Sequence, residues 1–405
     1  MVNDKNIKIQ SNQKFSAASL GYFVRLPLTQ HNLALATLLT KMQGNASESY
    51  PDPAMIAARF SELYSFRFEA APQLFGKELV ISYLVDFVEP QEILDPDYNY
   101  REIMETFIDL VTNPLLVAKN LELSQRQLRD EYQELVAQPN NQALIDFFNY
   151  WYQDQPDYAA SFLGPIEEIE AATVQDVRRF FDSLESCPSC LLGQAYDARQ
   201  VARLANEGLD ASGLSLAFPM SDLAIAAPDL RFAKAAEQGN QQAQLFLGYG
   251  YKALPNLADL ACGTVLREYL TGEQSSRLFA KVREEKGAAY AVESNWYADN
   301  SLFLINAGLD PGKVELTEQI IAKEMQMVAD GRIDPGLLKQ SKQALVNRQL
   351  INQDSSAWLL ARKIRYALHE NYEGFNFAQA VKAVTSKDLA NFVKNLYLNE
   401  SYVLK

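Results

Sequence analysis

The sequence predicts an α+β fold in which one domain type, an antiparallel sheet with packed helices, is used twice. Three observations lead there. At 405 residues the chain is too long for one core and suits two domains of roughly 200 residues each. Strand-like runs are interspersed with helical runs, and the same order returns after a break near residues 209–239. A short internal repeat marks matching points in the two halves.

Taken in order, residues 15–26 alternate, with Leu20, Tyr22, Val24 and Leu26 on one face, and form a strand. Residues 33–42 are almost continuously apolar and are closed by Gly44, the pattern of a buried helix with a glycine C-cap. Residues 51–64 form a second helix. Residues 65–70 and 78–87 are rich in aromatic and β-branched side chains around Pro72 and Gly76, which gives an antiparallel strand pair. Helical periodicity covers most of 100–151.

Residues 209–239 change character. Gly213, Pro219, Pro228 and many Ala and Asp residues make this stretch a linker between domains at 1–208 and 240–405. Beyond it, a strand at 244–251 leads to a helix at 257–269, a turn at Gly272 and a helix at 276–285. Strands at 289–297 and 302–308 follow, then long helices.

The repeat pairs Thr173-Val174-Gln175-Asp176-Val177 with Thr385-Ser386-Lys387-Asp388-Leu389. In each, Thr caps a helix start and Asp complements the helix dipole. Eighteen residues after each Thr comes a short strand, at Leu191-Leu192 and at Val403-Leu404.

Bulk properties narrow the function. A formal charge of −14 with no basic stripe disfavours nucleic acid and anionic lipid as partners. No apolar run reaches the roughly 18 residues that a membrane span needs. Residues 1–13 are polar, with Lys5 and Lys8 but no apolar stretch behind them, so no signal peptide and a cytoplasmic location are expected. Three cysteines argue against a disulfide framework. Cys187 and Cys190 have redox-motif spacing, but they open an apolar strand rather than a helix whose dipole would activate a thiolate. A redox role requires a low thiol pKa and exposure.

The run Gly272-Glu273-Gln274-Ser275-Ser276-Arg277-Leu278-Phe279, followed by Arg283-Glu284 and by Gly287-Ala288-Ala289-Tyr290, carries a resemblance. It resembles the C-terminal signature of insulinase/pitrilysin zinc peptidases, in which a Gly turn, Ser, Leu-Phe, an Arg-Glu pair and Gly-x-x-Tyr follow one another. The stretch 162–167 and the helix start at Ala383-Val384-Thr385 are similar to further landmarks of that family. The resemblance implies a metalloenzyme LuxS/processing-peptidase-like fold whose halves close as a clamshell over a peptide. It also implies an inverted zinc motif, H-x-x-E-H, on a helix. Its first and fifth positions share one helix face and so one metal, and the Glu deprotonates zinc-bound water.

At that motif the chain departs from the family. Counting back from Gly44, the three positions fall on Leu35, Leu38 and Leu39, which offer no lone pair. The two histidines, His31 and His369, are far apart and read as surface or helix-end residues. The stretch from Ser124 through Arg126 and Leu128 to Glu131 is similar to the family's E-R-x-x-V-x-x-E. This places Glu131 at a remnant third-ligand position and Ser124 at a lost Glu. With no histidines beside it, Glu131 reads as a solvated helix charge.

The resemblance gives Arg283 and Tyr290 a role that needs no zinc on the same chain. Peptide hydrolysis develops a negative oxygen, and a guanidinium and a phenol O–H are donors suited to it. The bland alternative is that Arg283 completes a helix dipole and Tyr290 fills the core. The resemblance thus implies a zinc-less, non-catalytic subunit of a heterodimeric metallopeptidase, inactive alone, binding no cofactor itself. Zinc would sit on an H-x-x-E-H partner, and Arg283 and Tyr290 would act in trans on a short or unfolded peptide. The competing expectation is a peptide-binding or structural scaffold, homodimeric and without metal.

Overall fold

The computed structural model describes residues 6–159, 163–211, 218–219, 222–285, 289–369, 372 and 374–405, with the backbone alone at 210–211, 232–233, 283–285 and 289–290. The chain divides into two compact units. The first contains a five-stranded sheet: β1 (Ile7–Ser11), β2 (Ala17–Pro27), β3 (Arg67–Phe75), β4 (Glu78–Val88) and β5 (Ser189–Ala195), in the order β1-β5-β2-β4-β3. The second contains β6 (Phe232–Ala236), β7 (Ala243–Tyr251), β8 (Ala289–Tyr297), β9 (Leu302–Leu309) and β10 (Leu396–Leu404), in the order β6-β10-β7-β9-β8. Adding five to each strand of the first order gives the second, so the duplication extends to topology.

The sheets are mixed rather than antiparallel. β1 runs parallel to β5, with Ile7 opposite Leu191, and β6 runs parallel to β10, with Phe232 opposite Glu400. The remaining pairings are antiparallel. β1 and β6 were not foreseen, and β6 lies inside the stretch read as a linker. Both are five-residue edge strands too short to stand out: Ile-Lys-Ile-Gln-Ser alternates over only three residues, and Phe-Ala-Lys-Ala-Ala is mostly alanine, a weak strand former. Pro72 is tolerated within β3 because β3 is the opposite edge, paired with β4 alone. Gly76, at φ +54°, opens the two-residue turn between β3 and β4.

Helices fill the faces. In the first unit, helix Gln30–Asn45 packs on β3 and β4. Thr29 caps it by accepting from the Asn32 amide, and it ends at Ala46. Gly44 therefore lies in the last turn and is not the C-cap. In the second unit, Leu245, Leu247 and Tyr249 of β7 and Phe303 and Ile305 of β9 share a core with Val265 and Leu266 of helix Leu257–Arg267. Both repeat motifs form reciprocal caps. The Thr173 and Thr385 side chains accept from the amides of Asp176 and Asp388, whose carboxylates accept from the Thr amides in return.

The units are not contiguous in sequence. Residues 134–159 cluster with the second unit and 353–370 with the first, so the division at 1–208 and 240–405 is crossed twice. Helix Ser356–Leu368 lies on β2 and β5, where Lys363 donates to the Gly193 carbonyl at 2.6 Å. Helix Pro139–Trp151 lies on β7 and β10. Its Phe147 and Trp151 rest on Gly248, where a Cβ would meet them at 2.6 and 2.7 Å. Tyr402 of β10 donates to its Asp146 at 2.6 Å. The physical reason is that each sheet has two faces to cover, and one cover comes from the other half of the chain.

Candidate functional site

Helix Gln30–Asn45, where the family places its metal motif, buries the leucines that stand at those positions. Leu35, Leu38 and Leu39 are 6%, 0% and 0% exposed. Two residues beyond, Lys41 forms an ion pair with Glu131 of helix Ala118–Val136. One turn on, Asn45 donates to Ser124 at 3.0 Å and to Gln127 at 2.8 Å. The two helices are thus joined by an ammonium–carboxylate pair at Glu131, the remnant ligand position, and by amide hydrogen bonds one turn beyond the three leucines. Glu131 is half-exposed, but it is paired rather than simply solvated. Leucines supply no lone pair and Glu131 already serves an ammonium, so these residues do not fit zinc. Among the described residues no group of three or more His, Cys, Asp or Glu is placed to hold a metal ion.

Beside this helix, β3 and helix Ala118–Val136 enclose a cleft of about 360 Å³ lined by Thr37, Lys41, Phe68, Pro72, Leu128 and Glu131. The three leucines do not line it. A larger depression of about 650 Å³ on the first unit is lined by Arg59, Glu102, Thr106 and Asp109. Its charges serve one another: Arg59 donates to Glu102 at 2.6 Å and to Thr106 at 3.0 Å. Asp109 accepts from Ser47 at 2.6 Å and Ser49 at 2.8 Å.

The histidines and cysteines form no centre. His31 is exposed and its Nδ1 lies 2.7 Å from Glu168. It is a surface residue, because Thr29 is the cap. His369 follows helix Ser356–Leu368 as its C-cap residue. Burial pushes the thiols of Cys187 and Cys190 up, more strongly for Cys190 inside β5, which is the reverse of what thiolate chemistry requires.

The C-terminal motif begins where helix Leu257–Arg267 passes into a π-helical stretch, Glu268–Gly272. A second π-helical stretch, Phe279–Glu285, contains the backbone of Arg283. Tyr290 lies in β8 where its register on β9 shifts between Ala289 and Ala291. The side chains of Arg283 and Tyr290 lie outside the described residues. Around them lie two ion pairs, each with a buried carboxylate, that sequence reasoning missed. Arg348 donates to Glu268 at 3.0 and 2.9 Å, and Arg277 donates to Glu324 at 3.0 and 2.8 Å. A usable signal was present, because Lys41 and Glu268 each stand four residues before the end of the helical run that follows the second strand of their sheet.

Comparison with known proteins agrees with this architecture. Residues 140–345 match the peptidase M16 inactive domain. A "Probable inactive metalloprotease YmfF" of Bacillus subtilis is 20% identical over 407 residues, covering 98% of this chain and 95% of that protein. An "Uncharacterized zinc protease SCO5738" of Streptomyces coelicolor is 26% identical over 248 residues, covering 59% of this chain and 53% of its own. Among solved structures, a conserved protein from Enterococcus faecalis superposes with a TM-score of 0.86 at 16% identity, covering 98% of this chain and 96% of that one. A peptidase M16 inactive domain from Pseudomonas fluorescens superposes with a TM-score of 0.79 at 15% identity, covering 98% and 94%. The matched inactive domain and the doubled five-stranded sheets lead to one assignment: the chain belongs to the peptidase M16 family.

Proposed function

We propose that this chain is the non-catalytic subunit of a heterodimeric metallopeptidase. It supplies Arg283, Tyr290 and a peptide-binding surface to a partner chain that carries H-x-x-E-H and zinc. One observation carries this reading: the two halves have diverged unequally. In the first, Leu35, Leu38 and Leu39 are buried and Lys41 takes up Glu131. In the second, the run from Gly272 to Tyr290 keeps its family spacing. The name of the Bacillus subtilis relative, an inactive metalloprotease, is in keeping with a member that does not hydrolyse alone. In such an assembly the partner's zinc would activate water. This chain's guanidinium and phenol would donate to the oxygen that becomes negative as the peptide carbon turns tetrahedral. The chain is purified from its native host with whatever stays bound, and the eluate is assayed for zinc and for cleavage of an unfolded polypeptide. A stoichiometric H-x-x-E-H partner with chelator-sensitive cleavage supports the reading. A homodimer without cleavage supports a scaffold instead.

A further inference from the structure

The segment leading to Arg283 is wound as π-helix on both sides of a turn, at Glu268–Gly272 and at Phe279–Glu285. π turns are rare and persist where surrounding contacts hold them. Here those contacts are two ion pairs of opposite sense, each built around a buried carboxylate. Upstream of the turn the segment contributes the acid, and Glu268 accepts from Arg348 of helix Pro335–Asn352. Downstream the segment contributes the base, and Arg277 donates through Nε and Nη2 to one oxygen of Glu324 on helix Val314–Ala329. Glu268 and Glu324 are only 2% and 4% exposed. Between the anchors Gly272 lies so close to the Glu268 carboxyl that a Cβ would stand 2.3 Å from its Cδ. Ser275 accepts from Gln340 at 3.2 Å.

Holding a segment down does not require this arrangement, since apolar residues of equal volume serve stability as well or better than buried ion pairs. What two guanidinium–carboxylate pairs of opposite sense add is register. Each guanidinium fixes an angle as well as a distance. A slip of the segment by one residue would strand two buried carboxylates at once. We infer that Arg277–Glu324 and Arg348–Glu268 are positioning pairs that set the height and rotation at which this segment presents Arg283 to a bound peptide. The inference rests on the reading of Arg283 as a peptide-contacting group. Neither pair is catalytic: Arg277 stands six residues before Arg283 and acts through the backbone between them.

The test uses the full chain, with fluorescein-labelled, reduced and carboxymethylated α-lactalbumin as an unfolded polypeptide probe and anisotropy as the readout. Arg283→Ala is the reference and should weaken binding about tenfold, the loss of one charged contact. The double change Arg277→Met with Glu324→Gln removes the pair without leaving a lone buried charge, so the chain stays folded. It should weaken binding by a similar factor, and adding Arg283→Ala to it should cost little more, because Arg283 is already misplaced. Arg277→Lys, which keeps the charge but not the two-donor geometry, should fall between parent and double variant. Parent-like affinity in the double variant, or losses that simply add to that of Arg283→Ala, overturns the positioning role while leaving the reading of Arg283 intact. Parent-like affinity of Arg283→Ala itself, or no probe binding by the unaltered chain, overturns the reading of Arg283 and the inference with it.

Discussion

Glu268 and Arg348 stand in the second unit where Lys41 and Glu131 stand in the first, with the charges exchanged between the helices. Arg348 and Glu131 each lie thirteen residues after the start of their helices, Pro335–Asn352 and Ala118–Val136. The same join between helices is therefore made twice, once by a half-exposed pair and once around a buried carboxylate. Their energetic weights should differ accordingly. Arg348→Met takes both short hydrogen bonds from the buried Glu268 carboxylate, leaving it Arg267 at 3.7 Å, and should cost about 2 kcal/mol of unfolding free energy. Lys41→Met should cost roughly 0.5 kcal/mol, because Glu131 can be served by water. Urea midpoints of the two variants check the ranking, and equal losses would contradict it.

The purified chain should retain no stoichiometric zinc. Metal analysis after dialysis is the measurement. About one zinc per chain would contradict the assignment of Leu35, Leu38 and Leu39 to the motif positions.

In the complex with an H-x-x-E-H partner, Tyr290→Phe should lower kcat by on the order of 10²–10³, or roughly 3–4 kcal/mol, without altering assembly. Phe keeps the ring volume, so a packing role predicts parent rates. Arg283→Ala should slow the same step. The two changes together should cost less than their sum, since both act on one developing charge. Intact complexes by gel filtration with unchanged rates for Tyr290→Phe would end the role for that residue.

Stability should fall as pH rises from about 4.5 to about 8 through one residue, Glu400. It is buried in β10 opposite Gly248, and among the described residues its carboxyl carries no hydrogen bond. Burial pushes its pKa up to about 8, against the pull of Arg231 and Lys234. Between its ordinary value and that one, the folded state holds a proton that the unfolded chain has released, so each step up in pH favours unfolding. The stabilising share is complete below the lower value and is lost by the upper. Glu400→Gln should flatten the dependence of the urea midpoint on pH between 5 and 9. Identical slopes for parent and variant would refute the assignment.

Limited proteolysis should first cut between helix Ala198–Ala211 and β6, where Gly213, Pro219 and Pro228 fall. The fragments should then co-elute until denaturant is added, because each unit is completed by residues of the other fragment. A first cut inside helix Gln30–Asn45 would mean that the boundary is misplaced.

What the sequence made legible follows from the range of each signal. β2, the β3–β4 pair and β7 announce themselves through alternation within a few residues, and the two caps through Thr-x-x-Asp. β1 and β6 do not, since five-residue edge strands carry too short a pattern and gain their structure from pairing with β5 and β10 far along the chain. The exchange of helices Pro139–Trp151 and Ser356–Leu368 was equally hidden, because an apolar stripe specifies that a helix is buried and not which sheet it buries against. Lys41 and Glu131 each look like solvated charges alone. Ninety residues separate them, and their pairing appears only when the helices are placed side by side.

The helix exchange also sets an order of events during synthesis. The strands of the first sheet are complete once β5 has left the ribosome, but the helix that covers β2 and β5 is not finished until residue 368. At bacterial-to-eukaryotic translation rates that gap of roughly 170 residues lasts roughly ten to thirty seconds. Through that interval one face of the nascent sheet has no cover of its own, which makes it a natural target for holding chaperones. A truncated transcript ending near the midpoint would yield not a smaller stable protein but one sheet without its covering helix and one helix, Pro139–Trp151, without a sheet to cover.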